Sequence, residues 1–82
     1  MKSQYNYTII LEKEDTGGYH VFCPTLPGCH TYGDTYDEAI ENVKDAINLY
    51  LESLKEHKEP IPIEDITIKP LTVAMWVQKS PI

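Results

Sequence analysis

The stretch from Gly17 to Ala39 limits most sharply what this chain can become, and its centre is Pro24-Thr25-Leu26-Pro27-Gly28-Cys29. Pro24 and Pro27 lock φ and remove two backbone donors, so the residues between them cannot sit inside a continuous strand ladder. A strand arriving from Tyr19 must break there. Upstream, Gly17 and Gly18 tolerate positive φ and allow a tight reversal between two hydrophobic runs, which predicts a hairpin. Downstream, Gly33-Asp34-Thr35 opens a helix. Thr35 followed by Glu38 is a capping box, in which each side chain can satisfy the other's free backbone N–H. Gly17, Gly18, Pro24, Pro27, Gly28 and Gly33 are thus read as residues that set backbone conformation, Thr35 and Glu38 as caps, and none of them as catalytic. The Pro24 to Cys29 segment is read first as a rigid bend and second as part of a partner surface.

Hydrophobic periodicity supplies the elements around this stretch. Tyr5 to Glu12 places Tyr5, Tyr7, Ile9 and Leu11 on one face at period two, which predicts a first strand. A second strand is expected over Tyr19 to Cys23; with Tyr19 on one side and Phe22 on the other, both of its faces carry an aromatic ring. A short third strand follows at about Cys29 to Tyr32, rich in β-formers and ended by Gly33. From Tyr36 to about Glu56, Ala39, Ile40, Val43, Ala46, Ile47, Tyr50, Leu51 and Leu54 form one apolar helical stripe. Asp37 and Glu38 at its start and Lys55 and Lys58 at its end suit the helix dipole. Pro60 and Pro62 stop the helix. Leu71 to Val77 reads as a last strand, with Leu71, Val73, Met75 and Val77 on one face, and the tail from Gln78 is expected to fray.

The predicted fold class is therefore α+β: an antiparallel β-β-β meander, one long helix packed on one face, and a final strand. A chain of 82 residues is expected to form a single domain over residues 1–82, and a domain of that size buries only roughly 60–65% of the surface its unfolded form exposes. One helix covers one sheet face. The other face is left with some of Phe22, Tyr32, Trp76 or the tyrosines, which makes these three the expected partner or oligomer interface and predicts a homodimer or higher homo-oligomer.

Charge and cysteine usage narrow the partners. The net charge of −6 and seven scattered lysines offer no footprint for a phosphate backbone, so direct nucleic-acid binding is not expected. A basic protein partner suits that charge. Cys23 and Cys29 have neither zinc-ligand nor thioredoxin-type spacing and read as buried free thiols, a disulfide being the lesser alternative. The apolar runs are far too short to span a bilayer, and the first residues lead into a strand rather than a signal-peptide core, so a cytoplasmic protein without a membrane role is expected.

No constellation of residues points to catalysis. His30 adjoins Cys29, but neighbours on a strand point to opposite faces and cannot act as nucleophile and base without a bend. His20 reads as a surface or hydrogen-bonded histidine, and His57 as a helix C-terminal residue. Asp37, Glu38, Glu41, Asp45 and Glu52 lie mostly on the outer helix face, with Glu12, Glu14 and Asp15 near the first turn, rather than converging as a Mg²⁺ site requires. No metal and no cofactor are expected. A residual hydrolase would have to depend on His20, His30 or the acids near the first strand.

Taken together, Gly17-Gly18-Tyr19-His20-Val21, Cys23-Pro24-Thr25-Leu26-Pro27-Gly28-Cys29, Gly33-Asp34-Thr35 and Asp37-Glu38-Ala39 resemble the HicB family of type II antitoxins. The resemblance runs over roughly residues 5 to 62, to Glu59-Pro60-Ile61-Pro62, and is weaker over residues 63–82. It implies a degraded ribonuclease-H-like fold of sheet order 3-2-1-4, without the nuclease carboxylates. It also implies a partner, a small basic HicA-like toxin of double-stranded-RNA-binding-like fold that cleaves mRNA with a histidine and whose active surface the antitoxin occludes. Many HicB proteins append a DNA-binding domain; none is expected in the residues up to Ile82, and a short stand-alone member is the expectation. The alternative expectation is an orphan homo-oligomeric scaffold or small-ligand-binding module with no toxin partner.

Overall fold

A computed structural model describes residues 4–77. Three short strands, β1 (Ile10–Lys13), β2 (Tyr19–Phe22) and β3 (His30–Gly33), form an antiparallel sheet of order β1-β2-β3, followed by the helix α1 (Tyr36–Glu56). Leu11 faces Val21 in one ladder and Val21 faces Thr31 in the next. The β1–β2 reversal is closed by Glu14 N–H donating to Gly18 O (2.8 Å) and Gly17 N–H to Glu14 O (3.0 Å), with Gly17 at φ 105. Gly18 does not share that conformation. It is needed because a Cβ there would run into the Tyr32 hydroxyl. Gly33 is likewise a contact glycine, since a Cβ would strike the backbone of Ala39 at the start of the helix.

The proline segment breaks the meander as expected. Leu26 N–H donates to Cys23 O (3.1 Å) and Cys29 N–H to Leu26 O (3.0 Å), while Cys23 N–H reaches Cys29 O (3.0 Å) and closes the neck of the loop. This closure explains the strand boundaries. The first strand was expected from Tyr5, but β2 ends at Phe22, so residues 5–9 have no neighbour to pair with and the ladder begins at Ile10. The third strand begins at His30 rather than Cys29 because Cys29 is committed to the loop.

The helix has the predicted ends. Thr35, at φ −126 and ψ 165, accepts a hydrogen bond on its hydroxyl from Glu38 N–H (3.1 Å), the Thr35 half of the capping box. At the C-terminus Glu59 N–H reaches back to Leu54 O (2.9 Å) and Lys58 N–H to Lys55 O (3.1 Å), a Schellman closure with Lys58 at φ 56. The stripe packs on one sheet face. Ala39 and Val43 bury against Val21, and Ala46, Ile47, Tyr50 and Leu51 cover Cys23, Leu26 and Cys29. Leu26 is fully buried, so the loop between the prolines is an integral part of the core.

The final strand is not formed in the single chain. Leu71 to Val77 lies outside the sheet, with Leu71, Val73, Met75 and Val77 each between 74% and 81% exposed. The chain returns to the first segment only at residues 61–64 and then leaves. Its radius of gyration is 17.7 Å and its longest axis 64 Å, against about 12 Å for the radius of a compact domain of this length. Prolines at 60, 62 and 70 keep this stretch extended and remove donors that a ladder would need. The expected fraying from Gln78 falls outside the described residues.

Candidate protein-binding surface

Because α1 occupies one face of the sheet, the side chains at alternate positions of β2 and β3 are left on the other. His20 and Phe22 from β2 and His30 and Tyr32 from β3 form this second face, set by the pairs His20–Tyr32 and Phe22–His30. The His20 ring lies 5.7 Å from Phe22 and 5.4 Å from His30, measured between centroids. Tyr32 is 44% exposed and leans over Gly18. Beside these rings, Pro24, Pro27 and Gly28 wall an open groove of about 440 Å3 whose floor is Cys23, Leu26 and Cys29. The surface is aromatic and bordered by acid. His20 Nδ1 stands 3.4 Å from a Glu12 carboxylate oxygen, a weak contact at best.

Cys29 is buried while its neighbour His30 is exposed, as alternation requires, so thiol and imidazole face apart. Burial pushes the Cys29 thiol above its ordinary value, and Cys23 adds to the rise, which disfavours a thiolate nucleophile. Both cysteines are free. Among the described residues no group of three or more His, Cys, Asp or Glu side chains converges to hold a metal ion. No helix among the described residues is long and apolar enough to cross a membrane.

Of the three residues expected at an interface, two share this surface and one does not. Phe22 and Tyr32 stand together on the uncovered face, whereas Trp76 is 99% exposed on the arm that follows residue 64. The sequence reading missed the anchor of that arm. The Glu64 carboxylate accepts hydrogen bonds from Thr8 N–H (2.6 Å), the Thr8 hydroxyl (2.6 Å) and the Thr25 hydroxyl (3.2 Å), and the Tyr7 hydroxyl donates to Pro62 O (2.6 Å). The Thr8 hydroxyl first and then the Thr8 N–H hold the Glu64 carboxyl below the usual range; burial opposes them more weakly than either, and Thr25 adds the smallest lowering effect. Glu64 lies 56 residues from Thr8 and 39 from Thr25, and at this separation no local signal marks its partners.

The model of the HicB-like antitoxin family of bacterial toxin-antitoxin systems matches residues 7–78, nearly the whole chain. The chain belongs to the HicB-like antitoxin family. A UPF0150 protein of Synechocystis sp. is 57% identical over 72 residues, covering 88% of this chain and 91% of the relative. Antitoxin HicB 1 of Photorhabdus laumondii is 38% identical over 76 residues, covering 87% of this chain and 49% of that protein, so the chain spans about half the Photorhabdus antitoxin. The crystal structure of the N-terminal domain of the Burkholderia pseudomallei antitoxin HicB is similar to this HicB-like fold at a TM-score of 0.65 and 37% identity, covering 72% of this chain and 69% of that one. The α+β architecture of three antiparallel strands and one helix is thus a HicB architecture.

Proposed function

We propose that this HicB-like chain is a cytoplasmic antitoxin that neutralises a small basic HicA-like mRNA-cleaving toxin by occluding its active surface. Family membership is the observation that carries this reading. The net charge of −6 supports a basic partner by speeding encounter and selecting against acidic competitors. Phe22 and Tyr32, diagonal to one another on β2 and β3, provide aromatic anchors on a sheet face that the helix leaves bare. In this reading residues 1–82 act as one domain without a catalytic step, cofactor, metal or direct contact to nucleic acid. Trp76 serves self-association into a homodimer or larger assembly. The sheet is of the degraded ribonuclease-H-like kind, with Leu71 to Val77 as the fourth strand of the assembled sheet.

Cleavage of mRNA by a cognate HicA-like toxin tests the proposal. Titration with this protein is expected to abolish cleavage at a stoichiometric ratio, and undiminished cleavage with the protein in excess would refute it. A second reading, a homo-oligomeric scaffold or small-ligand module with no toxin, is favoured by the apolar groove beside Phe22 and by the bare arm. It predicts that same undiminished cleavage together with a stable homo-oligomer.

A further inference from the structure

We propose that two copies of this chain exchange their C-terminal arms, the segment from Leu71 to Val77 of each copy lying along the open β1 edge of the other. The donor is an uncovered strand. Leu71, Val73, Met75 and Val77 alternate with Thr72, Ala74 and Trp76, and every one of the apolar members is exposed in the single chain. Patches of that kind mark contact sites in soluble proteins. The acceptor is the β1 edge, where among the described residues no side chain hydrogen-bonds the backbone of Ile10–Lys13. Order β1-β2-β3 makes β1 and β3 the two edges, but on β3 the carbonyl of Tyr32 already accepts a hydrogen bond from the Asn42 amide of α1 (2.8 Å). An edge without such cover is a template for an added strand.

The occupant is a second copy because the arm overruns its own sheet. Glu64 is fixed at Thr8, and β1 ends at Lys13. A strand that continued alongside β1 from that point would pass the end of the sheet at about residue 69, at one residue per strand position. A strand leaving in the opposite direction would lose the sheet at once. Either way Leu71 to Val77 lies beyond its own β1, in accord with the 64 Å long axis. Each copy therefore offers one unsatisfied arm and one unsatisfied edge, and a two-fold exchange satisfies both pairs with none left over. Charge agrees with this choice. The only charged side chain from Ile66 to Val77 is Lys69, so the arm is the part of an acidic molecule that can approach Glu12, Glu14 and Asp15 of another. Pro70 lacks a donor and is tolerated on such an edge strand.

The exchange gives a specific structure to the self-association proposed above and rests on that part of it, independently of any toxin. The full chain and its Val73→Asp/Met75→Asp variant are compared by light scattering and by amide hydrogen exchange. Both changes fall on exposed arm residues, so the helix signal in circular dichroism should stay the same. The wild type is expected at twice the monomer mass, with slowed exchange at Ile10–Lys13 and at Leu71–Val77, and the variant at half that mass with both protections lost. A monomeric wild type would overturn the exchange and the self-association together. A dimer that survives the double substitution, or one whose arm amides exchange freely, would overturn the exchange alone.

Discussion

Leu26 sits between two prolines in a loop, where a leucine would ordinarily be expected to face solvent, yet it is fully buried with Cys23 and Cys29 beneath Ala46, Ile47, Tyr50 and Leu51. Truncating it to alanine removes the largest side chain of that cluster and leaves a cavity that the loop cannot easily close. Pro24 and Pro27 hold its backbone, and the hydrogen bond from Cys23 N–H to the Cys29 carbonyl closes its neck. Leu→Ala changes at such sites cost about 2–5 kcal/mol, and the rigid neck argues for about 3 kcal/mol or more. At roughly 0.05–0.15 kcal/mol per residue a domain of this length has only about 4–12 kcal/mol in total. Leu26→Ala should therefore lower the melting temperature by about 12–24 °C at ~4–8 °C per kcal/mol. Leu49→Ala, at a helix position 67% exposed, should change stability by no more than about 0.5 kcal/mol. Urea denaturation followed by circular dichroism at one fixed protein concentration measures both, the concentration being held because association would shift the midpoint. A Leu26→Ala cost below about 1 kcal/mol, or equal costs for the two variants, would refute the assignment of the proline loop to the core.

Other consequences are as direct. Lys58 occupies the left-handed position of the Schellman closure at φ 56, where glycine avoids the Cβ penalty; Lys58→Gly should stabilise the fold by about 0.5–1 kcal/mol, and a destabilisation in the same denaturation assay would contradict the closure. Because the Glu64 carboxyl is held below its usual range in the folded chain, its contribution is fully present above the ordinary carboxylate value and is lost as pH falls through the depressed one. Acidification should thus free residues 61–64 from Tyr7 and Thr8, seen as faster exchange of the Thr8 amide after correction for intrinsic rates. Glu64→Gln should lose that pH response; an identical pH profile in the variant would count against the anchor. Cys23 and Cys29 are buried, and burial also raises the Cys29 thiol above its ordinary value, so a thiol reagent at neutral pH should label the native chain far more slowly than the urea-unfolded one, and equal rates would place the cysteines at the surface.

What the sequence made legible follows the range of the forces involved. The helix was predicted from Tyr36 to about Glu56 and is found at Tyr36–Glu56, because a Thr35 cap, an apolar stripe and charged ends are local signals that agree with one another. Strand limits depend on partners. Tyr5 to Ile9 has an alternating pattern, but the ladder stops where β2 turns into the proline loop. The glycines divided in the same way: Gly17 needs its positive φ, as a turn signal suggests, whereas Gly18 and Gly33 are set by the close approach of Tyr32 and Ala39, contacts no local pattern encodes. Leu71 to Val77 has the alternation of a strand and no sheet neighbour among the described residues. For the binding surface, the bare sheet face was foreseeable from one helix and three strands. Phe22 and Tyr32 fall on it, while the Glu64 anchor to Thr8 and Thr25 depends on tertiary geometry alone.

The central claim is that the uncovered face, presented by an acidic chain, binds a basic toxin. Calorimetric titration of a cognate HicA-like toxin into the wild type and into a Phe22→Ala/Tyr32→Ala variant, at low and high salt, tests it most directly. The account predicts stoichiometric binding by the wild type that weakens with salt, and an affinity reduced at least tenfold in the variant, or about 1.4 kcal/mol. No heat of binding for the wild type, or an affinity untouched by the double substitution while the fold is retained, would contradict it.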